Sequence, residues 1–113
     1  MADNCLFCRI VKGEIPAAKI YEDDEILAFR DIAPQAPVHF LVIPKRHIAG
    51  AAAATAQDDA LLGRILRVGS ELAKKEGAEQ FRLVSNNGAQ AGQSVFHLHV
   101  HFLGGRAMAW PPG

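Results

Sequence analysis

"VFHLHVHFL", residues 95–103, sets three histidines at every second position of an apolar run. Successive side chains of a β-strand point to opposite faces, so His97, His99 and His101 share one face. Phe96, Leu98, Val100 and Phe102 then hold the other face against a core. Burying three unlinked imidazoles would need three separate hydrogen-bond solutions with no packing gain. The row therefore reads as one chemical device on a strand.

Upstream of it, "FRLVSNN" reads as a second strand, joined to the histidine strand by "NGAQAGQS", where Gly88 and Gly92 permit backbone geometries closed to other residues. Before that lies the clearest helix. Thr55 can cap it, Asp58 and Asp59 suit its positive end, Lys74 and Lys75 its negative end, and Gly77 can stop it. Leu61, Leu62, Ile65, Leu66, Gly69, Leu72 and Ala73 form its apolar face, which predicts a helix lying on a sheet.

"VHFLVIP", residues 38–44, is nearly continuous in apolar character and suits a central strand. The preceding "APQAP" forms a rigid loop around Pro34 and Pro37, and "AKIYEDDEILAFRD" reads as a hairpin turning at Glu22 to Glu25. A short helix capped by Asn4 is expected to run to about Lys12. About five antiparallel strands with one long and one short helix make an α+β fold, and residues 1–113 read as a single domain with no repeat or linker.

Twelve basic residues balance twelve acidic ones, so no overall field recruits nucleic acid or an anionic membrane surface. No run of about 18 apolar residues is present to span a membrane. Cys5 and Cys8 are too few and too close for a disulfide framework, and "MADNCLFCRI" lacks the features of a secretory signal, so the expected location is cytoplasmic. From Gln80 to Gly113 there is no acidic residue, while Arg82, Arg106 and the three histidines lie there. That third of the chain tolerates an anion.

Two chemistries use such a histidine row. One is a transition-metal site, but a hydrolytic metal centre often adds a carboxylate, and none is local. The other is covalent catalysis, in which a neutral imidazole attacks phosphorus and a neighbour positions it. An unperturbed pKa of about 6.5 leaves imidazole largely neutral at pH 7, so attack needs no metal. A backbone carbonyl could hold the other ring proton. Gln93, Ser94 and Asn86 in the loop offer neutral donors to phosphate or sugar oxygens. The missing carboxylates and the attached loop favour covalent catalysis.

"DIAPQAPVHFLVIPKRHI", "AGQSVFHLHVHFLGG" and the terminal "WPPG" resemble the histidine triad (HIT) superfamily, over nearly the whole chain, and within it the HINT branch of purine nucleoside phosphoramidases. The resemblance implies a HIT-like fold whose sheet is extended by dimerisation into a homodimer. It implies that His99 attacks the α-phosphorus of an adenosine 5′-phosphoramidate, or of a related aminoacyl or lysyl adenylate. A nucleotidyl-histidine forms and water releases AMP, with no cofactor required. It further implies that His101 contacts phosphate oxygens and Ser94 the leaving nitrogen or a phosphate oxygen. His97 and His39 would support the nucleophile. Phe29 and Ile32 would flank the purine, with Asp31 on the ribose hydroxyls and Asn86, Gly92 and Gln93 around sugar and phosphate. From the residues alone Asp31 reads equally well as a turn cap before "APQAP".

Cys5-x-x-Cys8 is half of a common zinc layout. Relatives that keep this pair are similar in completing a structural zinc site with two histidines, for which His47 and His97 are the candidates here. The other reading is two small reduced thiols. In HINT-like proteins a tail resembling "WPPG" lies near the partner's active site, which gives Trp110 a role in leaving-group access. Two other functions stay open: a zinc-containing nucleotide-binding or interaction protein with little turnover, and a dinucleoside polyphosphate hydrolase.

Overall fold

The computed structural model describes residues 4–113. Its elements run α1 (Leu6–Val11), β1 (Lys19–Glu22), β2 (Ile26–Arg30), β3 (Val38–Pro44), α2 (Asp59–Lys75), β4 (Phe81–Val84) and β5 (Val100–Gly104), with short 3-10 turns at Ala51–Ala53, Ala56–Asp58 and Ala89–Ala91. The five strands form one antiparallel sheet in the order β1-β2-β3-β5-β4. The α+β expectation holds, and the apolar strand β3 lies at its centre.

Each strand of the middle of the sheet sends alternate side chains to two layers. Ile26, Ala28, Phe40, Val42, Val100 and Phe102 pack with Ile65, Val68, Leu72 and Ala73 of α2. Leu27, Phe29, Leu41 and Ile43 face the other way, onto Phe7 and Ile10 of α1. Both faces are covered, so β3 carries no polar alternation. The coverage is unequal, however: α2 has 17 residues and α1 only 6. The short helix leaves part of its face open, and a cleft lies there.

Local sequence fixes the corners. Asp23 Oδ1 accepts the N–H groups of Glu25 (2.8 Å) and Ile26 (2.9 Å), which turns the β1–β2 hairpin, and Arg64 of α2 clamps Asp23 and Glu25 at 2.6 and 2.8 Å. Asp58 carries the entry to α2, accepting the Thr55 N–H and pairing with Arg46. Among the described residues no helix is long and apolar enough to cross a membrane.

Four local expectations are corrected. The cap of α1 is Cys5, whose Sγ accepts from the Cys8 N–H, rather than Asn4. Leu66 is 48% exposed while Val68 is buried: the buried arc is centred on Ile65 and Gly69, and Leu66 sits about 100° round the helix from Ile65. The strand expected over 95–103 is regular only over Val100–Gly104, because residues 95–97 bend away from the ladder. Phe96 is consequently exposed, and "FRLVSNN" pairs only as Phe81–Val84.

Candidate active site

On the α1 face a cleft of about 450 Å³ opens between the helix and the ends of β2, β3 and β5. Leu6, Phe7, Ile10, Phe29, Ile32 and Leu41 form its apolar side. Asp31, Asn86, Gly92, Ser94, His99 and His101 supply its polar side. A flat apolar ring and a polar anionic group fit the two halves together.

His99 is buried, with its ring edge-to-face against Phe7 at 5.1 Å between centroids. Its Nδ1 lies 2.7 Å from the carbonyl oxygen of His97. A carbonyl only accepts, so Nδ1 carries a proton, and in the neutral ring Nε2 keeps its lone pair. Ser85 Oγ donates to the main-chain carbonyl of His99 itself at 2.9 Å. The expected backbone carbonyl is thus identified as that of His97.

His101 stands next along the row, 5.2 Å from His99 between ring centroids, and its Nδ1 lies 2.9 Å from His39 Nε2. Burial, then His99 and His39, push the His101 imidazole down to about 4. Burial also lowers His39, opposed by the nearby Asp31 carboxylate, whose Oδ2 lies 3.4 Å from His39 Nε2. The Asp31 Oδ1 accepts the Ala33 N–H at 2.8 Å, so Asp31 caps the turn and still lines the cleft. The turn-cap reading holds, and it leaves the carboxylate at the cleft.

His97 does not line the cleft. It is fully buried, with Nε2 2.8 Å from the Pro44 carbonyl and Nδ1 3.5 Å from both Cys5 Sγ and Cys8 Sγ. His47 Nδ1 is 3.3 Å from Cys8 Sγ, and the four ligand atoms lie within 4.8 Å of one another. Zinc bonds of about 2.3 Å to sulfur and about 2.0–2.1 Å to nitrogen, at a tetrahedral angle, put sulfur and nitrogen about 3.5 Å apart. The spacings match, and the Pro44 carbonyl fixes the His97 tautomer that leaves Nδ1 free to ligate. Two thiols and two imidazoles are a donor set for structural zinc.

Gln93, expected around the sugar and phosphate, does not line the cleft. Gln93 is buried in its loop, accepting the Gly88 N–H at 2.7 Å and donating to the Ala49 and Val95 carbonyls at 2.8 and 3.2 Å. Its amide braces the loop that carries Gly92 and Ser94. Trp110 is 81% exposed and does not line the cleft of its own chain. Phe7 and Ser85 were not singled out from sequence. Phe7 was legible only as one apolar residue of a short helix, and no spacing signal pairs it with His99.

The chain matches the HIT domain family over residues 12–108. It is 56% identical to an uncharacterized HIT-like protein of Synechocystis sp., over 100% of both chains. Among solved structures, it is similar to a HIT family hydrolase from Legionella pneumophila, with 54% identity, coverage of 97% and 100% of the two chains and a TM-score of 0.94. A HIT family hydrolase from Clostridium thermocellum matches at 42% identity, 96% coverage of both chains and a TM-score of 0.93. The chain belongs to the HIT domain family.

Proposed function

From this membership of the HIT domain family, we propose that the chain is a nucleotidyl hydrolase. It cleaves the P–N bond of purine nucleoside 5′-phosphoramidates, and the P–O bond to the acyl group of related aminoacyl adenylates, to release the nucleoside monophosphate, AMP from the adenosine compounds. The observation that carries the reading is the His99 ring, with Nδ1–H on the His97 carbonyl and a cleft at its side holding no metal-binding carboxylate pair. The hydrolase descriptions of the Legionella and Clostridium neighbours support the reaction class.

In the first step His99 Nε2 bonds to the α-phosphorus as the bond to the amine nitrogen breaks. The growing positive charge on the ring rests against the His97 carbonyl. Ser94 gives its hydroxyl proton to the departing amine and takes one from solvent, for which its exposed position suits it. His101 donates a hydrogen bond to a phosphate oxygen. In the second step a water oxygen bonds to phosphorus, the bond to Nε2 breaks, and the water proton leaves to solvent. His99 is regenerated beside AMP.

Phe29 and Ile32 hold the purine on the apolar side of the cleft, and Asp31 accepts from the ribose. Asn86 and the loop backbone at Gly92 meet the sugar and phosphate; Gly92 has φ +98, a conformation glycine adopts without strain. Cys5, Cys8, His47 and His97 hold a structural zinc, which adds stability and ties α1 to the bend before β5. The protein acts as a homodimer. The exposed Leu83 on edge strand β4 and the exposed Trp110 support this reading.

The test is AMP release from adenosine 5′-phosphoramidate by the wild type and His99→Ala. A fall of about 10³-fold or more in the variant is expected. Tight AMP binding with no release by either protein means a binding module and overturns the reading.

A further inference from the structure

The proton on His101 is set from outside the histidine row. The main-chain N–H of Gln35 donates to His39 Nδ1 at 3.0 Å. His39 Nδ1 must therefore be the unprotonated nitrogen, and a neutral ring then carries its proton on Nε2. That Nε2 lies 2.9 Å from His101 Nδ1, closer than the 3.4 Å to Asp31 Oδ2. His101 Nδ1 accepts, so His101 carries its own proton on Nε2, at the end of the ring away from His39. One peptide N–H thus dictates two tautomers in series.

The same geometry argues against a metal at Asp31, His39 and His101, although their ligand atoms lie within 4.8 Å of one another. Ligation through His39 Nε2 would require the proton on Nδ1, against the Gln35 N–H.

Gln35 is itself gripped from the C-terminal tail, through its carbonyl in the next peptide unit. Arg106 Nε donates to the Gln35 carbonyl at 2.9 Å, and Arg106 Nη1 donates to the Ala107 carbonyl at 3.0 Å. Just before it, Gly105 has φ +90, and a Cβ there would lie 3.0 Å from Pro37 Cβ. The tail and the Pro34–Pro37 loop are seated on each other so closely that a side chain at Gly105 would be both strained and crowded.

We propose that Arg106 and the Gln35 main chain are positioning groups that fix His101 as an Nε2–H donor to the phosphate. Arg106 never meets the substrate; it acts through Gln35 and His39. If His39 turned its proton to Nδ1, His101 could carry its own on Nδ1 and aim a lone pair at the phosphate oxygens. A hydrogen bond would become a repulsion.

The kinetic consequence rests on the hydrolase reading above, whereas the tautomers do not. The experiment is therefore double. Ring-nitrogen NMR of the metal-replete full chain should give an Nε2–H tautomer for both His39 and His101. Arg106→Ala should introduce the Nδ1–H form of His39 and lower kcat roughly tenfold, with KM changed less than about twofold. Gln35→Pro, which removes the N–H, should have the larger effect on both readouts. Arg82→Ala, which frees only the Ala109 carbonyl of the tail, should leave both unchanged.

An Nδ1–H tautomer of His39 in the wild type overturns the proposal. So do wild-type spectra in Arg106→Ala, which decide the matter if Gln35→Pro does not fold. Expected tautomers in a protein that releases no AMP would sink the hydrolase reading and leave the positioning chain standing.

Discussion

His97 and His99 are two residues apart, and the carbonyl of the first lies 2.7 Å from Nδ1 of the second. The His97 ring meanwhile faces Cys5 and Cys8. One residue therefore joins the sulfur cluster to the proposed nucleophile, its side chain serving one and its main chain the other. Disturbing the cluster should be felt at His99 through the peptide.

Metal analysis of the purified chain should give one zinc per protomer, and Cys8→Ser should abolish it. At a free-ion concentration a thousandfold above Kd, the ion adds about 4 kcal/mol to the folded state. Chelation should lower Tm in the wild type and leave Cys8→Ser where it was. Zinc-independent Tm values in the wild type would contradict the site.

Gly69 lies on the buried face of α2, where a Cβ would come 2.1 Å from Phe102 Cζ. At an open helical position Gly→Ala gains roughly 0.5–1 kcal/mol. Here the overpacking wins, because Phe102 is fully buried and stacked on Phe40 at 5.2 Å. Gly69→Ala should destabilise by about 1–3 kcal/mol in urea unfolding. A stabilised variant would mean that the helix is not held so close to β5.

Gln93→Ala separates loop support from ligand contact. It removes the partner of the Gly88 N–H and of two carbonyls, which should cost about 1–3 kcal/mol of stability. Loss of AMP affinity with unchanged urea stability would instead make Gln93 a direct contact.

Acid should weaken the fold through His101. In the unfolded chain this imidazole titrates near 6.5, and in the folded chain burial and its histidine neighbours hold it down at about 4. Between those values the unfolded state binds the extra proton, so stability falls as pH is lowered. From pH 6.5 to 5 the loss attributable to His101 is up to about 2 kcal/mol. His101→Asn should lose less stability than the wild type over this interval, with zinc release common to both. Equal losses would contradict the partly buried, neutral ring.

The sequence carried the sheet, both helices and the sidedness of His99 and His101, because alternation and helical spacing are local signals. It misjudged Leu66, since an apolar residue at the margin of a helical arc is buried or exposed according to how the helix rolls on the sheet. The loop role of Gln93 was hidden for a related reason. Its partner Ala49 is 44 positions away, and only the closed fold reveals that the amide is already engaged. The likeness of three evenly spaced histidines was similarly misleading: the bend at 95–97 turns His97 to the cysteines and leaves two rings in the cleft.

The most direct test is the covalent state of His99 during turnover. The wild type is mixed with adenosine 5′-phosphoramidate, quenched in alkaline denaturant to preserve a P–N bond, and its intact mass and peptides are measured. An AMP adduct on the peptide holding His99, absent from His99→Ala, is the predicted result. AMP release by the wild type with no adduct on His99, at a rate that His99→Ala matches, would contradict it.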